Sequence, residues 1–248
     1  MTPDSSLVSS IDDVLGGKDA VTLIQAISPT ALAVVVDFFA APAASGNLTG
    51  RMRELLLLAM HATPTSLDAQ AVERQVRRSL DAGATPADVV DVLLTTVGVA
   101  NHALYAAMPM FEEELARAGM ELEESGSLDE RFEFAKQEFL DARGFWNADR
   151  ERFARLMPAY FHAVCRLSVE PWKNGSLTIK EHELVCIAID CVVTHGYEPG
   201  LRLHIGRAIA SGATPGEILE VFQIAGTHGI ESLALGLRAL TNVAEVRR

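Results

Sequence analysis

The chain has 248 residues, of which 49% are apolar and only 6% are aromatic. A chain of this length can bury a sizeable aliphatic core, either as one large domain or as two small ones. Its 33 Asp and Glu side chains outnumber its 21 Lys and Arg side chains, which gives a formal net charge of −12. Because so acidic a surface repels phosphate backbones and anionic lipid head groups, the composition argues against a nucleic-acid-binding or membrane-surface protein.

Cysteine content and segment hydropathy indicate the compartment. Cys165, Cys186 and Cys191 form no Cys-x-x-Cys pair and are too few for a disulfide framework, which is typical of a reducing environment. The first residues lack the basic region and apolar core of a secretory signal. The most apolar stretch, residues 31–44, is too short to span a bilayer and contains an aspartate and a proline. We therefore expect a soluble, cytoplasmic protein that binds neither nucleic acid nor membranes.

An internal repeat organises the chain. Sliding the sequence by 129 positions aligns two halves without a gap, and the tetrapeptide Gly-Ala-Thr-Pro at 83–86 recurs at 212–215. Chance does not supply so many matches, including turn residues, at one offset. The repeat predicts a first copy at 20–115 and a second copy at 149–248. Further identities at this offset are Pro29 with Pro158, Pro42 with Pro171, Gly46 with Gly175, Glu54 with Glu183, Thr65 with Thr194 and Arg78 with Arg207.

Both copies have helical patterns. Thr178 with Glu181, and Thr214 with Glu217, have the spacing of capping boxes that begin helices, and Gly212 is a typical helix end. No convincing alternation with a period of two residues occurs, so the sequence predicts an all-α fold. Apolar side chains recur with the spacing of one buried helix face at Leu184, Ile187, Ala188, Cys191 and Val192.

Two segments lie outside the predicted copies. Residues 1–19 form an N-terminal segment that we expect to be loose or docked on the core. Residues 116–148 form an acidic linker, whose glutamates are typical of a solvated surface, followed by a connecting helix that ends near Gly144.

The motifs of the second copy resemble a known family. The run Leu-Thr-Ile-Lys-Glu-His-Glu-Leu at 177–184, His204 within Leu-Arg-Leu-His-Ile, and Gly-Ala-Thr-Pro-Gly-Glu-Ile at 212–218 are similar to the carboxymuconolactone decarboxylase / alkylhydroperoxidase D-like superfamily. The resemblance extends to both copies and so covers most of the chain. It implies an all-α tandem repeat of alkylhydroperoxidase D-like helical units. It also implies a homo-oligomer, with a trimer favoured.

The peroxidase branch of that superfamily uses a glutamate, a Cys-x-x-Cys pair and a histidine. Glu183 and His204 match the outer members, but Tyr197 and Gly200 stand at the two cysteine positions. Without a thiolate, no nucleophile attacks a peroxide, and no second thiol resolves the sulfenic acid. An alkylhydroperoxidase-like antioxidant is therefore the less favoured alternative.

The decarboxylase branch lacks these cysteines and has a histidine in a similar context, so the resemblance implies His204 and Glu183 as the catalytic pair. A histidine suits proton delivery to the dienolate that decarboxylation leaves, because its pKa lies near working pH. A nearby carboxylate can fix the imidazole tautomer or take a proton itself. Glu54 is present at the glutamate position of the first copy, but Gln75 replaces the histidine there. We therefore expect chemistry in the second copy only.

Four further residues are candidates for substrate binding. His195 and Tyr197 flank a glycine between two predicted helices, and loop residues beside a polar cluster often line pockets. His228 interrupts an otherwise apolar helix. Arg202 lies two residues from His204 and points nearly the opposite way on an ideal helix, which favours an ion pair or a site across an oligomer interface.

No motif indicates a cofactor. The histidines show no i, i+4 pair of a helical zinc site, and no glycine-rich phosphate loop or Gly-x-Ser-x-Gly elbow occurs. His182 is expected in an exposed first helical turn. The sequence thus favours a cofactor-free, metal-free acid/base enzyme acting on a small carboxylate or lactone, of the lyase or isomerase type. A non-catalytic binding or assembly protein of the same fold is the other alternative.

Overall fold

The described part of the chain is almost entirely helical. The computed structural model describes residues 11–246, with side chains as far as residue 243, and no strand occurs in that range. The predicted all-α fold is confirmed. In the first half the helices are α1 (Lys18–Ile27), α2 (Pro29–Ser45), α3 (Gly50–His61), α4 (Ala69–Asp81), α5 (Pro86–Val97) and, after a 3-10 turn at Gly98–Asn101, α6 (His102–Ala118). In the second half they are α7 (Glu130–Arg143), α8 (Asp149–Leu156), α9 (Pro158–Asn174), α10 (Ile179–Cys191), α11 (Glu198–Ala210), α12 (Pro215–Thr227) and α13 (Ile230–Val246).

Short-range hydrogen bonds begin the helices where the sequence predicts them. The Thr178 hydroxyl accepts a hydrogen bond from the Glu181 amide, and the Glu181 carboxylate accepts one from the Thr178 amide. Thr214 and Glu217 form the same capping box at α12. Gly212, between α11 and α12, has a φ of 87°, a conformation that side chains disfavour. Each box satisfies amides that the first helical turn leaves without partners.

The two halves have matching helices at the offset of 129 residues: α2 corresponds residue for residue to α9, and α4 to α11. The equivalent helices α3 and α10 lie at the centre, and their aliphatic side chains, such as Leu55 and Leu184, belong to one core cluster. The hydroxyls of the equivalent Thr65 and Thr194 lie 3.1 Å apart where the halves meet. The chain is therefore a tandem repeat folded around a shared core.

A buried carboxylate on α12 connects the second half to the first. Glu220 is completely buried. It accepts hydrogen bonds from the backbone amides of Asn47 at 2.8 Å and Leu48 at 3.0 Å, in the loop before α3. Its other oxygen lies 3.1 Å from Nη1 of Arg53. One carboxylate thus holds both the start of α3 and the half-buried Arg53 of the opposite half.

Asp91 on α5, the equivalent of Glu220, connects the first half to the second half. Asp91 accepts hydrogen bonds from the Leu177 amide at 2.9 Å and from Nε2 of His182 at 3.0 Å. His182 is 1% exposed. The prediction that it lies on an exposed turn is wrong, because the partner that buries it belongs to the other half of the chain.

One helical run is long and apolar enough to cross a membrane by length and composition. It spans 86–118, comprises α5, the 3-10 turn and α6, and has a mean hydropathy of 1.4 over its most apolar window. Core helices of soluble proteins pass the same test. The α5 part carries two buried carboxylates, Asp88 and Asp91, that pair with Arg51 and His182. Its inner face is therefore part of the helical core.

The segments between the predicted copies also pack on the body of the protein. Residues 120–129 have no regular structure, and α7 then packs on α9. Residues 11–15 are helical, and Ile11 and Leu15 are completely buried in a cluster with side chains of α1 and α13. Residues 1–10 of the predicted N-terminal segment lie outside the described residues.

We predict that Glu220→Gln lowers the free energy of unfolding by about 2 kcal/mol at pH 7, because the charged acceptor of two amides and Arg53 is lost. Burial alone would raise the pKa of Glu220, but its hydrogen bonds outweigh burial and hold that pKa below its ordinary 4.5. Its stabilisation is therefore present above pH 4.5 and is lost as the pH falls through the lowered pKa. Denaturant unfolding at several pH values measures this.

The control for this prediction is Glu198→Gln. Glu198 pairs with Arg202 on the surface, where both side chains are about 80% exposed. We expect this variant to change the free energy of unfolding by less than about 0.5 kcal/mol. Equal effects of the two variants would contradict the role given to Glu220.

Candidate functional site

A cavity of about 440 Å³ lies between the central helices of the second half and an aromatic layer contributed by α7, α8 and α9. Helices α10 and α11 form one wall, and the end of α5 and the start of α6 bring residues of the first half to the opening. Its size suits a small molecule. The polar and aromatic side chains of its lining include His102, Tyr105, Arg143, Trp146, Arg150, Tyr160, Trp172, Asp190, Tyr197 and His204.

Glu183 and His204, the predicted catalytic pair, meet at this cavity. Nδ1 of His204 lies 2.6 Å from Oε2 of Glu183, and Nε of Arg207 donates to Oε1 of Glu183 at 2.9 Å. Glu183 is completely buried, whereas His204 is 7% exposed and contributes to the cavity lining. Because Glu183 engages Nδ1, Nε2 is the ring nitrogen left for a molecule in the cavity.

Burial and charge set the protonation state of this pair. Burial lowers the pKa of His204 below its ordinary 6.5, and the hydrogen bond with Glu183 offsets this only in part. Burial alone would raise the pKa of Glu183, but the bonds from His204 and Arg207 bring it below its ordinary value. At neutral pH the pair is therefore a neutral imidazole beside a carboxylate. His204 donates its Nδ1 proton to Glu183 and can accept a proton at Nε2.

The first half contains the same arrangement without the imidazole. Nη2 of Arg78 lies 2.7 Å from Oε1 of Glu54, and Nε2 of Gln75 donates to the other oxygen of Glu54. Gln75 is the equivalent of His204. A glutamine thus bonds the half-buried Glu54 where a histidine bonds the fully buried Glu183. The histidine adds a titratable nitrogen that the packing does not require.

Two buried arginines face the cavity without a carboxylate partner. Arg143 and Arg150 are 8% and 9% exposed, and no described carboxylate forms an ion pair with either guanidinium. Arg143 donates to the Ser168 carbonyl, Arg150 lies 3.8 Å from Sγ of Cys165, and the Nε atoms of both arginines have no hydrogen-bond partner. Burial lowers the pKa of Arg143 to about 10, so it stays charged at neutral pH.

A second polar cluster lies at the same cavity, at the start of α6 and the end of α10. Nδ1 of His102 lies 2.8 Å from Nε2 of His195, and Oδ1 of Asp190 lies 3.7 Å and 3.6 Å from these two nitrogens. The Tyr197 ring stacks on His102, with 3.8 Å between ring centroids. Burial raises the pKa of Asp190 to about 8, whereas burial and the neighbouring His195 lower the pKa of His102 to about 3.

The structure separates the predicted substrate-binding residues. Tyr197 lines the cavity. His195 does not line it, but its Nε2 lies 2.8 Å from Nδ1 of His102, which does. Arg202 does not line the cavity; its side chain is 80% exposed and pairs with Glu198. His228 lies at a separate small cavity of about 10 Å³, with its ring 4.7 Å from that of His61.

Sequence reasoning missed the two arginines and His102. The offset of 129 residues pairs Arg143 with Val14 and Arg150 with Val21, although Val14 and Arg143 lie outside the two predicted copies. A charge that stands opposite an apolar residue at this offset marks a place where the two halves differ in chemical character. His102 carries no such signal in its own segment, because it reaches the cavity from the other half of the chain.

Comparison with known proteins agrees with this architecture. The model of the carboxymuconolactone decarboxylase family matches residues 158–241, which include the glutamate–histidine pair. A crystal structure described as a "putative gamma-carboxymuconolactone decarboxylase subunit", from Burkholderia xenovorans LB400, superimposes with a TM-score of 0.87. It shares 30% sequence identity, and the match covers 100% of both chains. No curated protein has a significant sequence match to this chain. On the family match and the full-length similarity, the chain belongs to the carboxymuconolactone decarboxylase family.

Proposed function

We propose that this protein is an acid/base enzyme that binds a small carboxylate or lactone acid in the 440 Å³ cavity and moves a proton at one of its carbon atoms. One observation carries the proposal. The same cavity holds two buried guanidiniums without anionic partners and a histidine whose free nitrogen is backed by a buried glutamate.

The arginines support an anionic ligand. A buried charge is costly unless an opposite charge or hydrogen bonds compensate it, and the Nε atoms of Arg143 and Arg150 lack both. A carboxylate matches the planar fork of a guanidinium and forms two parallel hydrogen bonds with it. The ring of Trp172 lies 3.5 Å from the Arg143 guanidinium carbon and holds that side chain in place. The ligand carboxylate would thus meet a preorganised site.

His204 would perform the proton transfer. In an isomerisation, its neutral Nε2 takes a proton from a carbon next to the carbonyl group, and the electron pair of the broken C–H bond delocalises as an enolate. The imidazolium that forms is stabilised by Glu183 at 2.6 Å, and it returns the proton to another carbon. In a decarboxylation, the C–C bond to the carboxylate breaks, CO₂ leaves, and the electron pair stays on the substrate carbon as a dienolate. The imidazolium of His204, which took its proton from solvent, then protonates that carbon.

The peroxide-reducing alternative has less support. Burial raises the pKa of the Cys186 thiol, which lies in the cavity wall, well above its ordinary value. Burial also raises the pKa of Cys165 and that of Cys191. All three are therefore protonated thiols at neutral pH, and a thiol is a poor nucleophile.

The proposal includes self-association, with a trimer as the first assembly to test. Helix α6 has no buried residue in the single chain, and Met110 and Phe111 on it are at least half exposed. Apolar surface of this kind commonly marks a protein interface. Light scattering of the purified protein would measure the number of chains in the assembly.

We predict that His204→Gln abolishes proton transfer and leaves the fold intact, because Gln75 already makes the equivalent bond to Glu54. The measurement is exchange of C–H protons in D₂O, followed by NMR, over a panel of small lactone acids and carboxylates. The melting temperature should stay within a few degrees of the parent value, since one buried hydrogen bond replaces another. Exchange that persists in this variant would remove His204 from the mechanism.

The same assay gives a pH dependence. Neutral His204 is the base, and burial lowers its pKa below 6.5. The exchange rate should therefore fall only when the pH drops through that lowered pKa, and should already be level at pH 7. A rate that still rises steeply between pH 7 and pH 8 would indicate a different base.

We predict that Arg143→Met weakens binding of the small carboxylates by about 10–100-fold, as expected when a charged hydrogen-bond donor is lost. Calorimetric titration measures this. The fold should tolerate the change, because it removes a buried charge that lacks an anionic partner. Arg202→Met is the matched control, since that side chain is 80% exposed. Equal affinities in both variants would place the carboxylate elsewhere.

A further inference from the structure

The cluster at the start of α6 and the end of α10 brings three ligand atoms to one point. Nδ1 of His102, Nε2 of His195 and Oδ1 of Asp190 lie 2.8–3.7 Å from one another. Two imidazole nitrogens and one carboxylate oxygen form a ligand set typical of divalent first-row transition metals. The ligands come from separate segments, so no i, i+4 spacing reveals them. The sequence therefore predicted no metal site.

Asp190 lacks a cation of its own. The carboxylate is 2% exposed, and among the basic side chains of the described residues only the two histidines have a nitrogen within 4.0 Å of it. Its Oδ2 atom has no hydrogen-bond partner. A buried carboxylate in this state is costly, and a bound metal ion would compensate its charge.

The equivalent position in the other half shows how such a carboxylate is balanced. At the offset of 129 residues, Asp190 corresponds to His61 and His102 corresponds to Glu231. His61 and Glu231 also face each other, at 3.5 Å. There, Nη2 of Arg74 lies 2.5 Å from Glu231 and supplies the positive charge. The equivalent of Arg74 beside Asp190 is Leu203, which carries no charge.

We propose that His102, Asp190 and His195 bind one divalent transition-metal ion in the place where the other half uses Arg74. His102 and Asp190 line the cavity, so an ion bound to them would be accessible to a ligand in the cavity. Water or an oxygen atom of the ligand would complete the coordination. This site goes beyond the proposed proton transfer and is argued independently of the ligand's identity.

The test uses the full-length protein after treatment with a chelator. Titration with Co²⁺, followed by the visible absorption of the bound ion, should show one site per chain. Zn²⁺ should compete for that site and raise the melting temperature. Asp190→Asn and His195→Ala should each weaken Co²⁺ binding by about 100-fold or more, since even the loss of an outer contact costs 10–100-fold. Asp190→Asn keeps the size of the side chain and places no charge in the core, so we expect it to fold.

Two further variants make the test specific. Leu203→Arg copies Arg74 and should block Co²⁺ binding while raising the melting temperature of the metal-free protein. His61→Ala changes the equivalent half and should bind Co²⁺ like the parent protein. Absence of Co²⁺ binding by the parent, or binding that survives both ligand substitutions, would overturn the proposal.

The metal site and the proposed function can fail separately. Arg143→Met should lose carboxylate affinity and keep Co²⁺ binding, whereas His195→Ala should lose Co²⁺ binding. A protein that binds carboxylates but no Co²⁺ would refute the metal site alone. A protein that binds Co²⁺ but no carboxylate would refute the proposed function alone.

Discussion

The need of an inward-facing glutamate for hydrogen-bond donors underlies both halves of this protein, with Glu183 completely buried and the side chain of Glu54 16% exposed. Glu183 has no contact with solvent, so its two oxygens must be satisfied from within, and His204 and Arg207 do this at 2.6 Å and 2.9 Å. In the first half Gln75 and Arg78 satisfy Glu54. Either a histidine or a glutamine can supply the hydrogen bond that the glutamate requires. Because the fold does not require an imidazole at this position, His204 is available for chemistry at the cavity.

The halves have matching helices but differ in charge around this cavity. Val14 and Val21 of the first half correspond to Arg143 and Arg150, which line the cavity, and Arg74 corresponds to the uncharged Leu203. A duplicated fold can accept such changes in one copy, because the other copy and the shared core continue to supply stability. The cavity at the equivalent place in the first half measures only about 10 Å³, and Arg74 is among its lining residues.

The sequence predicted features that depend on residues close together in the chain, and it did not predict contacts between the two halves. Capping boxes such as Thr178 with Glu181 involve residues three positions apart, so the helix starts were predictable. His182 was assigned wrongly because its partner, Asp91, lies in the other half. The meeting of Glu183 and His204 was within reach, since both lie in one copy. A histidine that arrives at the same cavity from the first half had no local pattern to reveal it.

Electrostatics links the two proposed ligands of the cavity. Arg143 and Arg150 carry positive charges without anionic partners, whereas the carboxyl group of Asp190 lacks a cation that would favour its ionised form. A divalent metal ion on Asp190 would displace the proton of that carboxyl group and raise the net charge of the cavity by one. An anionic ligand would bind more tightly to that cavity, and by linkage it would bind the ion more tightly in return. A substrate with an oxygen atom on the metal and its carboxylate on the arginines would thus be fixed at two points, with a carbon atom presented to His204.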